Sequence, residues 1–244
     1  MDEGRLIIDW TQMPTYNTIM SLAVGAALLS LVSLGRTVLQ NRELHPEGWA
    51  LNFGVLGFIL TLTGGHMTLT WPLAAYFPFD NIVFGETSLG FGVLLLAAAF
   101  YLWRRAEVLR TSPDPARELA QTGRPFRFII FGLGLALVAI ACAGIRYQLF
   151  AAPPEEPISG QFANYPWVEA IFISGLFALV GVAALLFPFA LQAGAGDGSG
   201  ARTTPTAVQR WTGGLLGLTG LAFLLFGALN YFTHIGLIIN TMPN

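Results

Sequence analysis

The pattern along this chain is one of long, unbroken apolar runs separated by short polar punctuation, with none of the apolar and polar alternation that a half-buried strand requires. Six runs reach roughly 20 residues, the length needed to cross about 30 Å of hydrocarbon as a helix. They are approximately Tyr16 to Leu39, Gly48 to Thr70, Asn81 to Trp103, Phe126 to Phe150, Tyr165 to Leu191 and Trp211 to Phe232. Inside lipid the backbone amides must be satisfied within each segment, which favours helices over barrel strands. The pattern therefore predicts an all-α, polytopic bundle of six transmembrane helices, with residues 1–244 as a single domain.

Composition agrees: 54% of residues are hydrophobic, 11% are charged, and mean hydropathy is +0.62, far from the average of a soluble domain. Lysine is absent. The loop of residues 104–125 carries Arg104, Arg105, Arg110, Arg117 and Arg124, with Arg127 just beyond. The positive-inside rule puts that loop in the cytoplasm. Arg36 and Arg42 follow the first helix, and Arg202 and Arg210 flank the Gly/Ser-rich loop of residues 192–210, so they fall on the same side. Only Arg5 and Arg146 fall on the other. Both termini are thus expected outside a cell membrane, with residues 1–15 lying at the outer interface, where Trp10 and Tyr16 are comfortable. That segment begins acidic and lacks the charged and cleavable regions of a signal peptide.

Several function classes drop out. A net charge of -2, with arginines spread over loops, leaves no footprint for nucleic acid. The one cysteine, Cys142, permits no internal disulfide and supports no thiolate cluster. Phosphate-binding, nucleophile-elbow and zinc-protease motifs are missing, which leans against an enzyme.

Against this background the polar groups inside the runs stand out, and nearly all fall in the half that the topology assigns to the outer leaflet. His66 lies near the outer end of helix two, Asp80 and Asn81 at the outer start of helix three, and Glu86 one to two turns inside it. Asn17, Arg146, Glu169, Asn230 and His234 occupy the same layer on other helices, with Trp71 beside His66 in the connecting loop. Such groups are costly in lipid and face the bundle interior. The expectation is an outward-facing pocket using His66, Trp71, Asp80, Asn81, Glu86, Arg146, Glu169, Asn230 and His234, with His66 and Glu86 within direct or single-water reach. The competing reading is that Glu86 pairs with Arg146 or a histidine only to fix packing. His66, Glu86 and His234 also have the residue types of a two-histidine, one-carboxylate metal site, although no two of them share a helical face at ligand spacing. Paired axial histidines for haem are not evident. A metal ion is therefore the one candidate cofactor.

The 28 glycines add a second theme. Gly213, Gly217 and Gly220 on helix six, Gly54, Gly57, Thr61 and Gly64 on helix two, and Ser88 with Gly92 on helix three form small-residue faces that let helices approach closely. Such packing argues against a wide aqueous channel. The stretches from Phe53 and from Phe131, each leading to a Pro-aromatic helix start, also suggest that helices two and three repeat helices four and five in parallel, with Asn81 opposite Glu169.

The run Thr70-Trp71-Pro72-Leu73, then Asn81, then Phe84-Gly85-Glu86 opening a glycine-containing helix, resembles the signature of an uncharacterised prokaryotic integral-membrane family, the domain of unknown function 981. The opening of helix one, residues 16–22, is similar too. The loop of residues 74–80 lacks the Pro-Gly turn of that family. The resemblance implies a multi-helix membrane protein of bacteria or archaea and no particular activity. Three function classes follow from the residues: a protein binding or transporting a small solute, proton or metal ion; a non-catalytic accessory subunit, respiratory or other, or a homo-oligomer; and a membrane-embedded enzyme or redox protein with Glu86 as acid or base. The bilayer itself is the partner common to all three.

Overall fold

A computed structural model of the chain describes residues 6–13, 15–194 and 204–242. The expected placements of Arg5 and Arg202, and residues 195–203 of the Gly/Ser-rich loop, lie outside the described residues. Among those described there is no strand, and six helices are long and apolar enough to cross a membrane. They are α1 (Asn17–Leu39), α2 (Pro46–Leu73), α3 (Pro78–Arg104), α4 (Pro115–Tyr147), α5 (Pro166–Ala193) and α6 (Ala207–Thr241).

Local chemistry sets several ends. Proline occupies the first turn of α2 through α5, where its missing N–H has no intrahelical partner to lose. Asp114 accepts a hydrogen bond from the Arg117 amide at the start of α4 (3.0 Å), and Thr206 with Gln209 forms a capping box at the start of α6. Two boundaries differ from the hydropathy reading. The basic loop of residues 104–125 is partly helical, with a short helix Ala106–Thr111 and, beyond residues 112–114, Pro115, so α4 starts early and passes through a 3₁₀ turn at Arg124–Phe126. Helix α6 continues past Phe232 to Thr241, because Ile235, Leu237, Ile238 and Ile239 are good enough helix companions that Gly236 does not end it. Beside the short helix, Arg110 bridges Glu107 (2.8 Å) and Glu47, tying the loop to the start of α2. The hydrogen bond that Arg110 donates to Glu47, reinforced by the charges of Glu47 and Glu107, raises the Arg110 pKa above its ordinary value.

The helices pack foremost as three antiparallel pairs: α2 with α3, α4 with α5, and α1 with α6. Glycine makes each approach possible. A Cβ on Gly64 would sit 2.5 Å from the Leu89 amide nitrogen, one on Gly57 2.9 Å from the Gly92 carbonyl oxygen, and one on Gly92 2.7 Å from the Thr61 amide nitrogen. Gly134 and Gly181 face each other's carbonyls in the α4/α5 pair, and Gly25 and Gly227 are pressed against the partner backbone in the α1/α6 pair. The expected α6 face is only partly used: Gly220 meets Leu28 and Leu29 of α1, while Gly213 and Gly217 have open space around them. The small residues of α6 that meet α1 closely are therefore Gly220 and Gly227.

The pairs are joined by α1 against α2 and α5 against α6. Contact between α3 and α4 is slight, with Gly90 facing Leu133. Gly64→Ala or Gly227→Ala is expected to destabilise the protein by about 1 to 3 kcal/mol, as for overpacked cores in general, while Gly217→Ala is neutral. Thermal unfolding in detergent checks this; equal shifts for all three variants would contradict the pairing.

Candidate functional site

The space left between the three pairs is a cavity of about 510 Å³, within the range of about 300 to 1,000 Å³ common for small-molecule sites. Helices α1, α3, α4, α5 and α6 line it, and α2 contributes nothing. Its shaft is apolar, with Val24, Leu28, Phe84, Leu137, Phe177 and Phe226 among its walls. At the end where the first and last described residues lie, the lining turns polar: Asn17, Asp80, Glu156, Glu169, Asn230 and His234.

These groups come from four directions and are held in place. Asn17, in the first turn of α1, has its Nδ2 3.2 Å from His234 Nε2 on α6. The other ring nitrogen of His234 is 3.2 Å from the Thr233 hydroxyl and 3.9 Å from a carboxylate oxygen of Glu156. Glu156 is only 12% exposed and His234 22%. Glu169 on α5 accepts a hydrogen bond from the Ala152 amide (3.0 Å), which folds the loop before α5 over the cavity end. Asn230, one turn below His234, is 5% exposed.

A strap closes this end. Residues 6–13 run across it, with the Ile8 amide donating to the Thr241 carbonyl (3.1 Å), the Trp10 indole N–H to the Thr241 hydroxyl (3.1 Å), and the Leu6 amide to a Glu155 carboxylate oxygen (2.9 Å). On the far side the Ala75 amide donates to the Gln12 carbonyl (3.1 Å). Ile8, Trp10 and Met13 all line the cavity. The Asp9 carboxylate caps the strap's single turn, and hydrogen bonds from the Thr11 hydroxyl, the Thr11 amide and Gln12 hold its pKa below the ordinary value. Thus residues 6–13 are stitched into the end of the bundle and do more than rest on an interface.

Of the predicted pocket residues, the structure brings Asp80, Glu169, Asn230 and His234 to the cavity and leaves the others out of it. Glu86 is the main correction. Phe84 lines the cavity, and two residues further on Glu86 points to the opposite, exposed face of α3. His66 sits on α2, outside the cavity, on the exposed stripe of Leu51, Val55, Phe58, Leu62 and Leu69, and meets the Tyr16 ring edge-on at 5.5 Å. No hydrogen bond or ion pair joins His66 to Glu86 among the described residues, so the expected contact is absent. Arg146 is exposed, lies over the Tyr147 ring (5.5 Å) and does not pair with Glu86. Trp71 is exposed beside the loop. Asn81 is buried at 2% exposure within the π-helical turn Asn81–Glu86, its amide nitrogen without a partner among the described residues. Among the described residues no group of three or more His, Cys, Asp or Glu side chains could hold a metal ion, so His66, Glu86 and His234 do not form the triad their types suggested.

What the sequence reading missed is Glu156, together with the aromatic corner at Phe77 and Phe79. The signal for Glu156 was present, an acidic pair enclosed by prolines in residues 153–157, but the segment reads as a connector. Phe77 stands at φ 45° and ψ 51° directly before Pro78. A bulky residue in that region costs about 1 to 3 kcal/mol and persists only where surroundings impose it, most often at ligand sites. Its ring meets that of Phe79 at 77° with centroids 6.0 Å apart, and both rings line the cavity beside Asp80.

Six apolar helices around a cavity with one polar end define an all-helical, multi-pass membrane protein. The chain belongs to the family described as protein of unknown function (DUF981), whose model matches residues 13–236. No curated protein and no solved structure matches it.

Replacing His234 with Leu removes the shared partner of Asn17 and Glu156, and is expected to cost about 1 to 3 kcal/mol through the unpaired groups left behind. Glu86→Gln is expected to leave stability unchanged. Melting temperatures of the two variants in detergent check both; a large fall for Glu86→Gln would restore it as a packing residue.

Proposed function

We propose that this protein binds a small amphiphilic molecule in the membrane, with the apolar part in the shaft between the helix pairs and the polar part against the Asn17, His234 and Glu156 cluster. The observation that carries this reading is the combination in one cavity of an apolar wall most of the way along and half-buried, mutually held polar groups at a single end. Sites of this kind, mostly apolar with a few placed polar groups, are the usual form of small-molecule pockets. In the orientation favoured by the arginine distribution, the polar end faces outward from a bacterial or archaeal cell membrane. A binding or transport role fits better than an aqueous channel, because the strap and glycine-closed pairs leave no wide path.

The test is to purify the protein, extract it with organic solvent and identify what co-purifies by mass spectrometry. Wild type is expected to carry a stoichiometric amphiphile and the cavity-filling variant Ala98→Trp to carry much less at unchanged melting temperature. Equal amounts in both would sink the cavity as the site. In a Cys142→Ser background, cysteines at Ala152 and Pro115 test the orientation: an impermeant reagent on intact cells is expected to label the first and not the second, and the reverse pattern would place the polar end in the cytoplasm.

Glu86 favours a second reading. An acid on the lipid-facing side of a spanning helix is costly unless another chain covers it, which supports an assembly role carried by the outer faces of α2 and α3. Glu86→Leu is then expected to change the particle mass in native-like lipid discs; an unchanged mass would remove this reading.

A further inference from the structure

We infer that the polar end of the cavity selects a cationic head, and that the ligand is a single-tailed amphiphile carrying a substituted ammonium group. The inference rests on the amphiphile-binding reading above and assigns the chemistry of its head. The charged lining points one way: Asp80, Glu156 and Glu169 are carboxyl groups, and His234 is the one basic side chain lining the cavity among the described residues. His234 already faces Asn17 on one side and Thr233 and Glu156 on the other, so it has no free nitrogen to offer an anion. Among the described residues no hydrogen bond or ion pair engages the Asp80 carboxylate, which lines the cavity directly.

The second, independent observation is aromatic. Phe77 and Phe79 present rings at 77° to one another, a corner with two walls, immediately before Asp80 in the chain. Trp10 lines the same cavity from the strap, its indole oriented by the hydrogen bond to Thr241. Ring faces attract cations through their quadrupole, and aromatic enclosures beside carboxylates are how proteins recognise substituted ammonium groups that cannot donate hydrogen bonds. Phe77 holds its left-handed backbone conformation at this corner, where it lines the cavity with 40% of its surface still exposed. The shaft below is a single apolar space, which suits one alkyl or isoprenoid tail. A phosphocholine head fits less well, because its phosphate precedes the ammonium and would lie among the carboxylates.

The experiment uses the full chain in discs of zwitterionic lipid and four tritiated probes with the same twelve-carbon tail: trimethylammonium, phosphocholine, maltoside and sulfate, all below their micelle concentrations and corrected for empty discs. The trimethylammonium probe is expected to bind at least about tenfold more tightly than the maltoside, the scale of a desolvated cation gaining ring faces and a carboxylate, with the sulfate weakest. Asp80→Asn and Glu169→Gln, both near-isosteric, and Phe77→Leu each reduce that preference without weakening the maltoside. Ala184→Phe, which fills the shaft, weakens all four. Equal affinity for all heads, each lowered by Ala184→Phe, overturns the cationic assignment and leaves the cavity reading standing. A phosphocholine probe binding most tightly overturns the assignment in favour of a phospholipid head. Absence of protein-dependent binding, or binding that Ala184→Phe does not change, overturns both.

Discussion

The constraint on which this structure depends is that lipid supplies no hydrophobic force to press helices together. Association must come from van der Waals contact at short range, and short range requires glycine. Here that requirement is met pair by pair: Gly57, Gly64, Gly85 and Gly92 close α2 on α3, Gly134 and Gly181 close α4 on α5, and Gly25, Gly220 and Gly227 close α1 on α6. Three pairs each drawn tight cannot also interlock everywhere with one another. The cavity is what remains where they meet, and its position follows from the glycines as surely as the contacts do.

The polar end obeys the complementary rule, that polar groups brought near lipid must find partners or reach water. Asn17, His234 and Glu156 answer one another across three segments that are far apart in sequence. The strap adds backbone hydrogen bonds to the last turn of α6 and to the α2/α3 loop. Polar chemistry therefore does at this end what glycine does in the shaft: it fixes the spacing of the pairs. Asp80 and the aromatic corner remain available to something else.

Much of the architecture was legible from hydropathy, because a spanning helix needs little more than length and apolar continuity. The pairing was legible in part, since Gly57, Gly64 and Gly92 lie on faces that the sequence displays. Gly213 and Gly217 display the same pattern and meet nothing, because spacing shows that a face is small but not which neighbour comes to it. The site was harder for the same reason. His66 and Glu86 lie at matching depths, and depth is what a sequence reports; azimuth depends on which flank of each helix the partner takes. Once Gly64 and Gly85 claim the α2/α3 contact, His66 is turned outward and Glu86 is carried to the face away from the cavity. Glu156 was hidden by its place in a loop, where an acid usually signifies solvent.

Helix α6 has 35 residues and α1 has 23, so at about 1.5 Å per residue α6 is close to 52 Å long and outreaches its partner by about 18 Å. A hydrocarbon layer of about 30 Å can accommodate such a helix only by tilt, projection or local thickening, at fractions of a kcal/mol per Å. At this end the surplus begins just past His234, which meets Asn17 at the start of α1, and includes the turn that anchors the strap at Thr241. Bilayer thickness thereby becomes a thermodynamic variable of this protein, acting through the surplus of α6 on the end where the strap and the polar lining of the cavity lie.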